Sequence, residues 1–462
     1  MKIVVERGTA VSDTGASGGQ PAQSERAGRT PVLVIAGLPG RAADGVHRAA
    51  RALGAEPGTI VVRHDLSELH EGVVRRIVRL NGREDVSVLE LAHGCVSCTL
   101  RKDLLPYLCL LAARDSVRRI VLALDPAFEA EAVCQAIRHV VVSDVVGRVD
   151  GPAGRSVRIE SVLTCLDAAD WLADATGDDT LAERGHATAD DDRTVAQLAV
   201  GQVEFADALL AFDGGVDPVD RLRTAAVLAR LAPLAPVRWL PDPAALDARE
   251  SSGMLRADAL YGLLDRVPAT ARRGHAFDPH AALLRGEPPL EPDCGVELLE
   301  FGTDRPFHPE RLHTAIDVLL EGVVSARGRV WLATQPDEVV WLESAGGGLR
   351  VGGAGKWLAA MTSEEIEQVD PERRIMASMR WHEHFGDRHT ALVILVHEAE
   401  ADEIRHALHW ALVDEDELRQ VRFAPERVAA WADPFGDQHE EPCDTTRSTP
   451  VSGDGGSRQN ER

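Results

Sequence analysis

Cys95 and Cys98 stand three residues apart in the stretch Glu90-Leu91-Ala92-His93-Gly94-Cys95-Val96-Ser97-Cys98-Thr99. An apolar run, 86–91, precedes them, and Leu100, Leu104, Leu105, Leu108 and Leu111 follow at helical spacing. The spacing predicts a strand, a tight loop and a helix, with both thiols at the junction. Cysteines there feel the positive end of the helix dipole, which lowers thiol pKa and favours the thiolate that binds metal or reacts. Two thiols are half of a tetrahedral zinc site, and no second close pair exists in the chain. Three readings therefore stand: a metal site completed by other ligands, a dithiol redox pair, and two structural thiols.

A second stretch with chemical potential is Gly37-Leu38-Pro39-Gly40-Arg41-Ala42-Ala43-Asp44, where a phosphate-binding loop belongs, at the end of the first apolar run of the chain's main body. Such a loop needs two glycines, a lysine on the terminal phosphates and a hydroxyl on magnesium. Gly37 and Gly40 remain as candidate phosphate-loop residues. Aligned from Gly37, however, Ala42 takes the second-glycine position, Ala43 the lysine position and Asp44 the hydroxyl position. Asp44 sets a negative charge where phosphate would sit, and as an N-cap it suits the helix expected next. The basic residues are almost all arginine; Lys2, Lys102 and Lys356 are the only lysines, and the sole Gly-Lys pair, Gly355-Lys356, lacks the rest of the motif.

The elements that must position these residues follow from periodicity. Runs 32–36, 59–63, 86–91, 119–124, 159–166 and 206–212 are short and apolar and alternate with helical stretches, which predicts a doubly wound, mostly parallel sheet of P-loop type. Runs 296–301, 329–333, 338–342 and 391–396, with helices at 308–320 and 402–413, predict a smaller α+β domain. The expected organisation is a disordered leader 1–30, an α/β domain 31–231, a linker 232–293 with a helical piece at 257–264, the α+β domain 294–420 and a mostly disordered tail 421–462.

Bulk properties bound the function. A chain of 462 residues with 44% hydrophobic and 27% charged composition is ordinary for two folded domains. Neither a signal peptide nor a membrane-spanning run is present, and seven scattered cysteines suit a reducing compartment, so the expected location is cytoplasmic. A net charge of −24 argues against direct nucleic-acid binding and suits a basic protein partner. His382, His384 and His389 read as a solvated edge with a His-x-His pair as the alternative, and Trp331, Trp341 and Trp357 read as core.

In this order the motifs resemble the CobW-like P-loop GTPases, a family that acts in metal homeostasis. Its metal signature, Glu-x-x-Asn-Gly-Cys-x-Cys-Cys-Thr, is matched at Glu90, Gly94, Cys95, Cys98 and Thr99, with His93 and Ser97 departing. Leu166-Asp167-Ala168 is similar to the family's Val-Asp-Ala, and Gln202 to Asp207 to its Gln-x-x-Phe-Ala-Asp. Arg305-Pro306-Phe307-His308-Pro309, 328–333, and Trp381 with 385–388 are similar to landmarks of the CobW C-terminal domain. The resemblance runs from about residue 31 to residue 418.

The resemblance implies a zinc site at Cys95 and Cys98, completed by Glu90 or His93 because the third family cysteine is Ser97. It also implies a GTPase-like fold, although Ala211-Phe212-Asp213-Gly214 stands where the family carries its guanine-reading Asn-Lys-x-Asp. With both nucleotide motifs degraded, GTP binding and turnover are expected to be weak or absent. Stretches 92–99 and 341–350 resemble a degenerate branch of the family, and that likeness implies an adaptor. Under zinc limitation such an adaptor recruits a basic ribosome hibernation factor to the ribosome's small subunit. The alternatives are a nucleotide-dependent zinc metallochaperone and a dithiol redox protein.

Overall fold

In this computed structural model the described residues are 4–5, 28–91, 96–187 apart from 144, 146 and 148, 191–241 and 255–436. An eight-stranded sheet forms the first domain: β2 (Thr30–Gly37), β3 (Thr59–Asp65), β4 (Val73–Leu80), β5 (Arg83–Glu90), β6 (Arg119–Ala123), β9 (Val157–Asp167), β10 (Ala208–Phe212) and β11 (Val237–Leu240). Its spatial order is β11-β10-β9-β2-β6-β3-β4-β5. Every pair from β11 to β3 is parallel, and β3/β4 and β4/β5 are antiparallel. The central strand β2 is buried along Val32, Leu33, Val34 and Ile35, each 0% exposed, as a strand covered by helices on both faces must be. Two short strands, β7 (Val141–Val142) and β8 (Gly151–Pro152), pair as a separate ribbon.

The run at 86–91 forms part of a strand, but not a parallel one. Asn81 and Gly82, both with positive φ (51° and 77°), join β4 to β5 in a two-residue hairpin, so β5 returns antiparallel along the sheet's edge. Val86 and Val88 point outward from that edge, 52% and 61% exposed.

The second domain is a six-stranded sheet of β12 (Val296–Thr303), β13 (Val323–Val330), β14 (Glu338–Ala345), β15 (Gly348–Lys356) and β16 (Thr390–His397), in the order β1-β15-β14-β13-β16-β12. All neighbours are antiparallel except the edge strand β1 (Val4–Val5), which pairs parallel with β15 through Val4↔Arg350 and Val5↔Val351. Three residues of the expected leader are thus sheet, Val4 and Val5 in β1 and Thr30 in β2, and β1 supplies backbone partners to the open edge of β15. Residues 1–3 and 6–27 of the leader lie outside the described residues.

Three boundaries move for a common reason, apolar side chains seeking cover. β11 carries the α/β domain past residue 231. The stretch expected as a linker packs its helix Ala257–Leu264 onto the helix Arg41–Leu53, burying Leu260, Leu263 and Val267. The second domain continues past 420, with Val428 and Phe435 each 2% exposed. One hydrophobic cluster spans both domains: Leu198, Ala199 and Val203 of the helix Val195–Glu204 pack with Val324 of β13 and Val393 and Leu395 of β16. Among the described residues no helix is long and apolar enough to cross a membrane.

Candidate functional site

Glu90 is the last residue of β5, and Leu91 donates its backbone N–H to the Gly72 carbonyl at 2.7 Å, which holds the strand end against the turn before β4. Cys98 lies in the short helix Val96–Thr99 and is half-buried. That helix continues through a π-helical turn, Leu100–Leu104, into Leu105–Ala112. The five leucines that predicted the helix are all at most 7% exposed. Single π turns occur often at functional sites, since the widened turn re-aims the side chains beside it. Cys95 and His93 lie outside the described residues. Among the described residues no group of three or more His, Cys, Asp or Glu side chains is placed to hold a metal ion, so Glu90 and Cys98 are the part of the expected ligand set on view. A carboxylate and a thiolate are donor types that zinc accepts.

What fixes the hairpin relative to the helix is a buried polar network that no local motif announces. Asp103, in the π turn, is 9% exposed; its Oδ2 lies 2.7 Å from His64 Nε2 on β3, and its Oδ1 accepts a short hydrogen bond from Arg76 Nη1 on β4. The Arg76 guanidinium also lies 4.0 Å over the Tyr107 ring and reaches Ser87 Oγ on β5 at 3.5 Å. Arg76 therefore ties the strand that ends in Glu90 to the helix that carries Cys98. A guanidinium is suited to this, being planar, always charged and able to stack while it donates.

At the nucleotide position, Gly40 turns the chain with φ 89° and ψ −139°, and the helix begins at once with Arg41. Asp44 is consequently in the first turn and not the N-cap: its N–H donates to the Gly40 carbonyl at 3.1 Å, the first helical hydrogen bond. The helix starts early because Gly40 supplies a backbone conformation that side chains disfavour. Arg41 Nη1 then reaches across the carboxyl ends of the strands, 3.5 Å from Asp167 Oδ2 at the end of β9 and 3.4 Å from the Gly214 carbonyl after β10. In an open α/β sheet this crevice is where a ligand would bind.

The base-reading position is equally committed. Asp213 pairs with Arg221 at 3.1 Å, and Arg221 lies 4.9 Å over the Trp239 ring. The Phe212 ring leans on the phosphate-loop helix so closely that a Cβ added at Gly45 would stand 2.2 Å from its Cε2. Gly37 is confined too, a Cβ there meeting the Cys165 carbonyl at 3.0 Å. Asp207, from the Gln-x-x-Phe-Ala-Asp stretch, accepts backbone N–H groups of Val162 and Arg273, each at 2.8 Å, and so staples β9 to the connecting segment.

Two other sequence clusters resolve simply. His382 and His384 sit in a tight loop, not on a strand: His382 Nδ1 accepts the His384 N–H at 3.1 Å, and His384 pairs with Arg422. His389 is buried with Nδ1 on the Asp387 carbonyl at 2.8 Å. Trp331 and Trp357 are each 1% exposed, in one small core.

Residues 58–230 match the CobW/HypB/UreG nucleotide-binding domain, and residues 296–412 match the cobalamin synthesis protein CobW C-terminal domain. The zinc chaperone Rv0106 of Mycobacterium tuberculosis is 45% identical over 419 residues, which cover 90% of this chain and 95% of that protein. The zinc-regulated GTPase metalloprotein activator 1 of Dictyostelium discoideum is 24% identical over 314 residues, 67% of this chain and 62% of that protein. The Zn(II)-bound YjiA GTPase from E. coli aligns over 83% of this chain and 99% of its own at 13% identity and a TM-score of 0.34. The chain belongs to the CobW family.

Proposed function

We propose that this CobW-family protein works in zinc homeostasis as an adaptor with little or no GTP turnover, bringing a basic ribosome hibernation factor to the small ribosomal subunit when zinc is scarce. The observation that carries the reading is the bridge from Arg41 to Asp167 and Gly214, laid across the crevice of a loop that has lost its lysine and hydroxyl. A crevice held in this way offers phosphate no lysine, an arginine already engaged with the Asp167 carboxylate, and magnesium no hydroxyl at the loop. A fold that keeps a whole accessory domain while its phosphate chemistry has gone is suited to binding. The net charge of −24 suits a basic protein.

Two measurements test this. Titration calorimetry with magnesium and GTP on the purified chain is expected to give no measurable heat in the micromolar range, and phosphate release no turnover above background; tight, magnesium-dependent binding with hydrolysis would sink the adaptor reading. Affinity purification of the tagged chain from zinc-starved cells is expected to recover the hibernation factor and small-subunit proteins, the contact weakening as salt rises.

A second reading is favoured by the name of the M. tuberculosis relative: a zinc chaperone that hands metal to client proteins, with Cys95, Cys98 and Glu90 or His93 carrying the ion. Recovery of zinc enzymes in place of ribosomal proteins would select it.

A further inference from the structure

The domain junction holds a cavity of about 50 Å3, with room for about four waters. Its wall comes from four places: the end of the helix Val195–Glu204 with Asp207, the end of the helix Pro218–Leu231, the segment carrying Arg272 and Arg285, and the inner face of the second sheet at Ser325 and Arg327. Four arginines and two carboxylates line it, and the carboxylates are already engaged. Glu204 Oε2 pairs with Arg327 Nη1 at 2.7 Å, and its Oε1 accepts Ser325 Oγ at 3.3 Å. Both oxygens of Asp207 are held by backbone N–H groups. Arg230 donates to the carbonyls of Ala226 at 2.9 Å and Glu291 at 2.5 Å.

Arg272 and Arg285 are left over. Neither guanidinium has a hydrogen-bonded acceptor or an ion-pair partner among the described residues, and Arg272 only stacks on Phe277, 5.4 Å from the ring, with Arg327 also over that ring at 5.2 Å. Burial, then the charges of Arg285 and Arg327, lower the Arg272 pKa to about 10, with Glu204 and Glu131 opposing from a distance. Arg285 is lowered by burial and by Arg327, with Asp207 opposing. Guanidinium groups crowded together with their donors unspent are the chemistry that receives a tetrahedral oxyanion, since each offers a planar fork matching two of its oxygens.

We propose that this cavity binds one phosphate-type oxyanion at the junction of the two domains, held by Arg272 and Arg285 with Arg327 beside them. The assignment is independent of the adaptor reading and of the phosphate-loop crevice, which none of these residues lines. The volume has room for one phosphate group. Occupancy would also join the two domains, because Arg272 and Arg285 belong to the connecting segment and Arg327 to β13.

The test is calorimetry and thermal unfolding of the full chain with sodium phosphate in a HEPES–chloride buffer of constant ionic strength. The expected result is one phosphate per chain with a rising Tm, and binding weakened about tenfold or more in Arg272→Gln and in Arg285→Gln. An unliganded Arg285→Gln chain is expected to melt no lower than the wild type, since the substitution removes repulsion and no hydrogen bond. The exposed variant Arg184→Gln should bind as the wild type does. Pyrophosphate and a sugar phosphate distinguish a free ion from the phosphoryl end of a larger ligand: tighter binding of either assigns the larger source, and binding of phosphate alone assigns the ion. No phosphate heat together with a Tm unmoved relative to chloride would overturn the proposal, as would unchanged binding in the Arg272→Gln/Arg285→Gln double variant.

Discussion

Asp103→Ala is expected to cost about 3 kcal/mol of stability in chemical denaturation, the lower end of what removing one partner of a buried ion pair costs. The loss comes less from the interactions removed than from what remains. His64, 1% exposed, would face the gap with no acceptor, and Arg76, whose side chain is 18% exposed, would keep as acceptor only the long contact to Ser87 Oγ. Asp103→Asn keeps the shape and one hydrogen bond to His64 and should lose less. Asp402→Ala, whose partner Arg405 lies across an exposed helical pair, should change stability by at most about 0.5 kcal/mol. Equal losses in Asp103→Ala and Asp402→Ala would remove the network from any role in holding the hairpin to the Cys98 helix.

The second large effect is on metal. If Cys95 and Cys98 are ligands, the wild type should hold one zinc per chain at neutral pH in dialysis against a competing chelator, and Cys95→Ser or Cys98→Ser should each abolish it. Both thiols must ionise to bind, so affinity is expected to fall as pH drops, by up to about a hundredfold per unit well below the thiol pKa values. Glu90→Gln and His93→Ala, measured in parallel, say which of the two completes the set. Equal zinc content in the wild type and the double cysteine variant would show that this loop carries no metal.

Much of the fold was legible where local and global signals agree. The continuous apolar run of β2 and the leucine spacing after Cys98 led directly to a buried parallel strand and a core-facing helix. The edge was misread because Val73–Leu80 interleaves arginines with valines and fits neither period cleanly, although Asn81-Gly82 was the hairpin signal. β15, Gly348–Lys356, was missed because four glycines in nine residues read as loop. At the candidate site, motif residues could be named from sequence, but what holds them could not. His64 and Arg76 are 39 and 27 positions from Asp103, and only folding brings them together. The same holds for Arg272 and Arg285, whose lack of acceptors among the described residues is a property of the packed junction and not of any pattern in the chain.

The contact between Phe212 and Gly45 would make it hard to restore the family's nucleotide motifs one residue at a time. A single step back at position 212 toward a polar base-reading residue would leave a hole beside Gly45 and bury an unmatched polar group, whereas a larger residue at 45 would collide with the ring. Repair of the phosphate loop alone meets a second obstacle, since Arg41 would have to release Asp167. Each restoring substitution made alone is therefore expected to cost packing or an ion pair, so the two motifs are coupled through the fold. On the adaptor reading proposed above, packing then works as a ratchet: it leaves the outer surfaces free to vary while it holds the interior of the crevice in its present form.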